Sequence, residues 1–320
     1  MYSRRGFGKI VLAATALPTT FGGPIDSSVN GVRLGATTYS FQDLRRTTGE
    51  DNVGDIIEAL TACGIGEIEL YSANLEPAPA AAMKPAFGPS YGGAGARTVL
   101  SGGQLGIRKM DRENLRRWRL TTTASHYEAI RRRFEDAGIH IFAYALDFAD
   151  DFSDDEIEAG FQQAKALSVE ILATSTTPAM ARRVAPFAVR HGIRVAVHNS
   201  ANARDPDRFA TPESFAKAVA MNMRINLDIG QFTAANYDAA AYIGQNHENI
   251  THLHISDRKR NLGAHEPFGD GDTPVKEVLV LIRDNKWPLR AFVEYEYAGM
   301  GSSVEEVRKC LDYMRACLAS

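Results

Sequence analysis

Eight short runs of β-branched and apolar residues recur along this chain, and a helix-like stretch separates each from the next. The runs lie at about 33–38, 66–71, 139–145, 169–174, 193–198, 224–229, 250–255 and 289–295. The stretches between them include DNVGDIIEALTACG (51–64) and SHYEAIRRRFEDAG (125–138), where apolar residues fall at helical spacing. Several close on Gly, which readily takes the left-handed C-terminal cap. Eight strands alternating with helices predict an α/β fold, a (β/α)₈ TIM barrel. A doubly wound sheet is the alternative, and it usually shows a Gly-rich turn after its first strand. Here that strand runs into ATTYSFQDL (36–44), with no such turn.

One segment breaks the repeat. Residues 72–124 form an insertion after the second strand, and it begins with the Pro/Ala/Gly-rich tract EPAPAAAMKPAFGPSYGGAGAR (76–97). In a barrel it would leave from the active-site face, so it reads as a lid or substrate collar. A mobile decoration is the bland alternative.

The first residues, SRRGFGK (3–9) followed by IVLAATAL (10–17), resemble a twin-arginine export signal. The expected division is a signal over 1–26 and a barrel over 27–320, exported to the periplasm or beyond. The apolar run is too short to leave a stable membrane span after processing. Net charge is −3 with 23% charged residues, a balance that asks for neither nucleic acid nor an anionic membrane. The basic runs RRWR (116–119) and RRR (131–133) read as solvated helix faces. Cys63, Cys310 and Cys317 include no CxxC pair, which argues against a thiolate metal site and leaves buried small hydrophobes.

Four consecutive strand-like segments end in metal-ligand residues: RVAVHNS (194–200), RINLDIG (224–230), THLHISD (251–257) and AFVEYEY (291–297). A parallel barrel gathers the carboxyl ends of its strands at one mouth. His198, Asp228, a His of strand seven and a Glu of strand eight would then share a pocket, a mixed N/O site for a divalent ion. Alternation puts His252 and His254 on one face, with His254 nearer the mouth and His252 in the layer below. It likewise pairs Glu294 with Glu296 and does not choose between them. Taken singly, a strand His is more often a core residue, and an Asp before Gly is usually turn chemistry. Buried charges are costly unless paired or bound to metal, so the joint pattern carries the reading.

LGATTYSF (34–41), GIGEIELYS (64–72), AVHN (196–199), LDIG (227–230), HLHISD (252–257), FGDGDTP (268–274) and VEYEY (293–297) occur in that order. With them the chain resembles the xylose-isomerase-like barrel superfamily of sugar isomerases and epimerases, over nearly all of 32–318. The resemblance implies a divalent metal ion (Mn²⁺ first, with Co²⁺, Zn²⁺ or Mg²⁺ as alternatives) held by His198, Asp228, His254 and Glu294. Glu69 and Glu296 would lie near a small carbohydrate substrate as catalytic carboxylates beside Glu294. Asn199, Gln231, Asp257 and His265 are the expected substrate contacts. Three positions depart from common members, which have His where Ser200 and Gln231 stand and Lys where Ser256 stands. His198 also occupies the place of the first metal-bound glutamate, which puts a symmetric two-glutamate epimerisation in doubt.

The implied chemistry is enediolate formation on a sugar or keto-sugar, leading to an isomer or epimer. Expulsion of a β-substituent would instead make a 3-keto-glycoside lyase or hydratase. A non-catalytic sugar-binding barrel and a multi-zinc phosphodiesterase are further readings. The latter needs more His ligands than a chain with eight His offers.

Overall fold

The backbone alternation resolves into eight parallel strands: β2 (Val32–Thr37), β3 (Glu67–Tyr71), β4 (His140–Ala145), β5 (Ile171–Thr174), β6 (Arg194–His198), β7 (Arg224–Asp228), β8 (Ile250–Ile255) and β9 (Arg290–Val293). Each pairs with the next, and β2 pairs with β9, with Leu34 opposite Ala291. The sheet therefore closes into a TIM barrel. A short strand β1 (Ser28–Val29) folds back antiparallel onto β2. The computed structural model describes residues 23–47, 49–77 and 102–320. Most of the expected export signal and residues 78–101 of the expected insertion lie outside the described residues. No described helix is long and apolar enough to cross a membrane.

Helix ends follow local chemistry. Helix α1 (Val53–Cys63) stops at Gly64, whose φ of 67° lets its N–H reach back to Leu60 and Thr61. Helix α4 (Asp154–Ala166) begins with a capping box between Ser153 and Glu156. The C-terminal helix α10 (Ser303–Ala319) buries Cys310 and Cys317, and all three cysteines are free.

The insertion is partly regular. Residues Gly102–Thr121 form helix α2, which docks on α4 through ions. Arg112 and Arg116 both donate to the buried Glu156 carboxylate, at 2.8 Å each, and Arg119 donates to Glu76 at 2.6 Å. The RRWR run is thus not a solvated face. Arg119 is buried, because two acidic residues from other parts of the chain neutralise it.

Strand alternation separates two environments. Val195, Val197, Ile225, Leu227, Leu253, Ile255, Ala291 and Val293 face outward into the apolar layer beneath the helices. The residues between them face the barrel interior. Its mouth carries His198, Asp228, His254 and Glu294, and two positions earlier on the same strands the inward residues are Ala196, Asn226, His252 and Phe292. The β7–β8 register slips at Thr251, so that Asn226 pairs with His252 and Asp228 with His254. Such a bulge re-aims side chains beside a functional site.

Candidate metal centre

The four expected ligands lie within one residue of the ends of four neighbouring strands and are all buried. His198, His254 and Glu294 each offer one atom within 4.8 Å of the others. Asp228, Glu294 and Glu296 form a second such group, joined to the first through Glu294. Glu294 Oε2 lies 3.2 Å from His254 Nδ1 and 3.6 Å from His198 Nε2. Asp228 is held on one side only. Its Oδ1 accepts from Ser256 Oγ and from the Gln231 N–H at 2.8 Å each, while its Oδ2 is buried with no hydrogen-bond partner.

Three crowded carboxylates cannot all ionise cheaply. Burial, followed by the charge of Glu294, pushes Asp228 up to about 7. Burial, then Glu294 and Asp228, holds Glu296 well above the usual range. Glu294 goes the other way: burial would raise it, but His254 and His198 outweigh that and hold it well below. Protons are one remedy for this crowding, and a divalent cation is another. Two imidazoles and two carboxylates, one of them with an unpartnered buried oxygen, fit such an ion.

Beside this centre opens a cavity of about 330 Å³, counting space open to solvent, lined by His198, His254, Glu294, Glu69, Tyr39, Tyr71 and Asp147. Asp228 and Glu296 lie behind Glu294 rather than on the cavity wall. Glu69 is 2% exposed and is gripped from below, with His252 Nε2 at 2.7 Å, His254 Nε2 at 3.0 Å and Asn226 Nδ2 at 3.1 Å.

The expected substrate contacts part company. Asn199 is engaged on both sides by the Asp228 backbone, accepting at 2.8 Å and donating at 3.0 Å. Asp257 accepts the backbone N–H groups of Gly269, Gly271 and Thr273, which fixes the loop that follows β8. Gln231 and His265 do reach the acidic cluster. Gln231 donates to Glu296 at 3.4 Å and accepts from Arg258 at 2.6 Å, and His265 Nε2 lies 3.3 Å from Glu296. Burial and the Arg258 charge lower His265 to about 4, so it is neutral there.

Sequence reasoning missed Asn226 and Asp147. Both left a signal. Asn226 stands two residues before Asp228 on the same face, and Asp147 follows IFAYAL as the four ligands follow their own apolar runs. Tyr39 and Tyr71, which meet edge to face at 5.5 Å, left none that spacing could show.

The sequence model of the xylose isomerase-like TIM barrel family matches residues 179–317. No curated protein matches the chain. A sugar phosphate isomerase/epimerase from Parabacteroides distasonis has a similar structure, with TM-score 0.56 at 14% identity, covering 91% of this chain and 98% of that one. The E. coli 3-keto-D-glucoside 4-epimerase in its apo form gives TM-score 0.55 at 12% identity over 89% and 100% of the two chains. The IOLI protein, solved with a zinc atom bound, gives 0.59 at 12% over 90% and 98%. The chain is a TIM barrel, and the part of it that bears all four expected metal ligands is similar to the xylose isomerase-like family.

Proposed function

We propose that this protein is a divalent-metal-dependent enzyme that isomerises or epimerises a sugar or keto-sugar. The observation that carries this reading is the meeting of His198, His254 and Glu294 at an open cavity, with the unpartnered Asp228 oxygen joined to the same glutamate. These four residues would hold the ion, and Mn²⁺, Co²⁺ and Zn²⁺ all accept such a donor set. The zinc in the IOLI structure and the carbohydrate reactions named for the structural neighbours support it. Bound there, the ion would act as a Lewis acid on substrate oxygens and offset the negative charge that develops when the adjacent C–H is deprotonated.

The chain's own groups do the remaining work. Burial, Glu294 and Asp228 raise Glu296 well above the usual carboxylate range, which suits a group that would exchange a proton in the reaction. Asp147 offers a second carboxyl, lining the cavity with Tyr39 and Tyr71. The two tyrosine rings supply apolar surface for the C–H faces of a sugar and narrow the entry of water. The purified protein should carry about one divalent ion per chain. Loaded with Mn²⁺, it should exchange solvent deuterium into at least one member of a panel of keto-sugars and keto-glycosides. Metal-free protein with no affinity for Mn²⁺, Co²⁺ or Zn²⁺ would sink the reading.

A second reading, elimination from a 3-keto-glycoside, rests on a neighbouring pocket of about 400 Å³, counting space open to solvent, that shares Tyr39 and Tyr71 with the metal cavity. Phe41, Leu44, Arg46 and Asn52 line it, and Arg46 Nε is buried there without a partner. A glycoside with its sugar at the metal would find room for its aglycone in that pocket. We also propose export by the twin-arginine route, on the strength of SRRGFGK (3–9). Replacing Arg4 and Arg5 together by Lys should retain the protein in the cytoplasm, and undiminished export would reject it.

A further inference from the structure

The upper tier of ligands rests on a second tier of buried polar residues that a barrel interior would otherwise fill with apolar side chains. Glu69 reaches this tier from β3, and His252 and Asn226 reach it from β8 and β7. All three are 2% exposed or less. Burying a carboxylate among apolar layers is costly, so this one must be repaid by its neighbours. Three nitrogens surround it: both imidazole Nε2 atoms and the Asn226 amide. Phe142 and Phe292 pack against the His252 ring, with centroids 5.6 Å away in each case, so the ring cannot swing aside.

The two nitrogens of His254 face different carboxylates. Nδ1 points toward Glu294 at 3.2 Å, on the cavity side, and Nε2 points toward Glu69 Oε1 at 3.0 Å. Asn226 Nδ2 also stands 3.1 Å from Nε2, so that nitrogen has one acceptor and one donor within reach. A neutral imidazole that gives one nitrogen to a cation keeps its proton on the other. If the cation takes Nδ1, that proton is on Nε2, and of the two neighbours only the Glu69 carboxylate can receive it.

We propose that Glu69, on the wall of the same cavity, is a positioning residue for His254. Backed by His252 and Asn226, it fixes the His254 ring so that Nδ1 is presented to the ion. A carboxylate beneath a ligating imidazole orients the ring and raises its basicity as a ligand. Glu69, His252 and His254 also meet the spacing of a metal group in their own right. The proposal assigns them instead to hydrogen bonding, because His254 can serve both groups only by giving up both ring protons. It rests on metal binding at the upper tier and not on the identity of the substrate.

The wild-type protein supplies the first test. With ¹⁵N-labelled histidine and Zn²⁺ bound, His254 should show its proton on Nε2 and a metal-shifted Nδ1. A proton on Nδ1, or two zinc ions bound per chain, overturns the proposal. The second test is Glu69→Gln, whose amide can accept from only one of the two imidazoles. If the variant keeps the wild-type circular dichroism spectrum, its Kd for Zn²⁺ should rise about 10–100-fold. An unchanged Kd in that folded variant also overturns it. Failure to turn over any sugar would count against the carbohydrate reading and leave these two results standing.

Discussion

Ser256 Oγ donates to Asp228 Oδ1 at 2.8 Å, and this bond aims the other oxygen of Asp228 into the acidic cluster. Ser256, buried just past the end of β8, thus has a structural use beside the proposed ligand. Asp228→Ala should raise the Kd for Zn²⁺ at least 100-fold. Its loss as the N-cap of the short helix Ile229–Ala234 should cost about 0.5–2 kcal/mol of stability. Ser256→Ala should weaken binding by a smaller factor, since a hydrogen bond to a charged group is worth about 1.5–3 kcal/mol. Titration calorimetry with a melting control checks both, and full metal occupancy in Asp228→Ala would remove Asp228 from the ligand set.

Glu294 and Glu296 should separate cleanly. Glu294 belongs to both ligand groups, whereas Glu296 belongs to one and lies against Gln231 and His265. Glu294→Gln should lose the metal. Glu296→Gln should keep it and lose about 10²–10⁴-fold in turnover. The reverse outcome would exchange the two roles.

Proton release should accompany metal uptake. Asp228, pushed up to about 7 by burial and Glu294, largely holds its proton at pH 6. Any cation that takes Asp228 must displace its proton, so affinity for Zn²⁺ should rise as pH goes from about 6 to 8. The sign for the metal-free fold follows from the same proton. Between 3.8, the ordinary value, and about 7 the folded chain holds a proton that the unfolded chain has lost. The contribution of Asp228 to stability therefore falls as pH rises through that window. Calorimetry in two buffers of different ionisation enthalpy reads the released protons, and an affinity flat across the range would contradict the argument.

The neighbouring pocket offers a test of substrate size. Leu44 is half-buried on its wall and far from any ligand position in sequence. Leu44→Trp should fill that space and lower kcat/KM for a phenyl glycoside substrate at least tenfold, with the corresponding methyl glycoside affected less than twofold. Equal losses on both would show that the pocket takes no aglycone.

The barrel was legible because its strands are short, apolar and regularly spaced. Boundaries shifted where side chains intervene. The run read as 224–229 stops at Asp228, whose carboxylate caps the next helix, and the run read as 289–295 is laddered only through Val293. Helix α2 was hidden inside the insertion because the ion pairs that dock it run to Glu156, a partner some 40 residues away. The same limit applies within the site. Alternation gave the faces of His252 and His254, but the carboxylate that joins them, Glu69, lies 183 residues before His252. Local spacing carries no information about such a partner. The backbone partners of Asn199 and Asp257, two of the expected substrate contacts, likewise belong to segments whose course the sequence does not reveal.

The seam between β2 and β9 joins residues more than 250 positions apart, Leu34 to Ala291. Glu294 follows directly on that seam, with its N–H bound to the Ile255 carbonyl at 2.9 Å. During synthesis the first three ligands emerge well before the fourth, and the fourth is set in place only when the last strand docks. An ion that requires Glu294 therefore cannot be captured by a half-made barrel. On the proposed reading it would arrive after closure and then hold the ring shut by mass action, since it would bind the closed form and not the open one. Metal uptake in a refolding experiment would thus mark the moment the ring is completed.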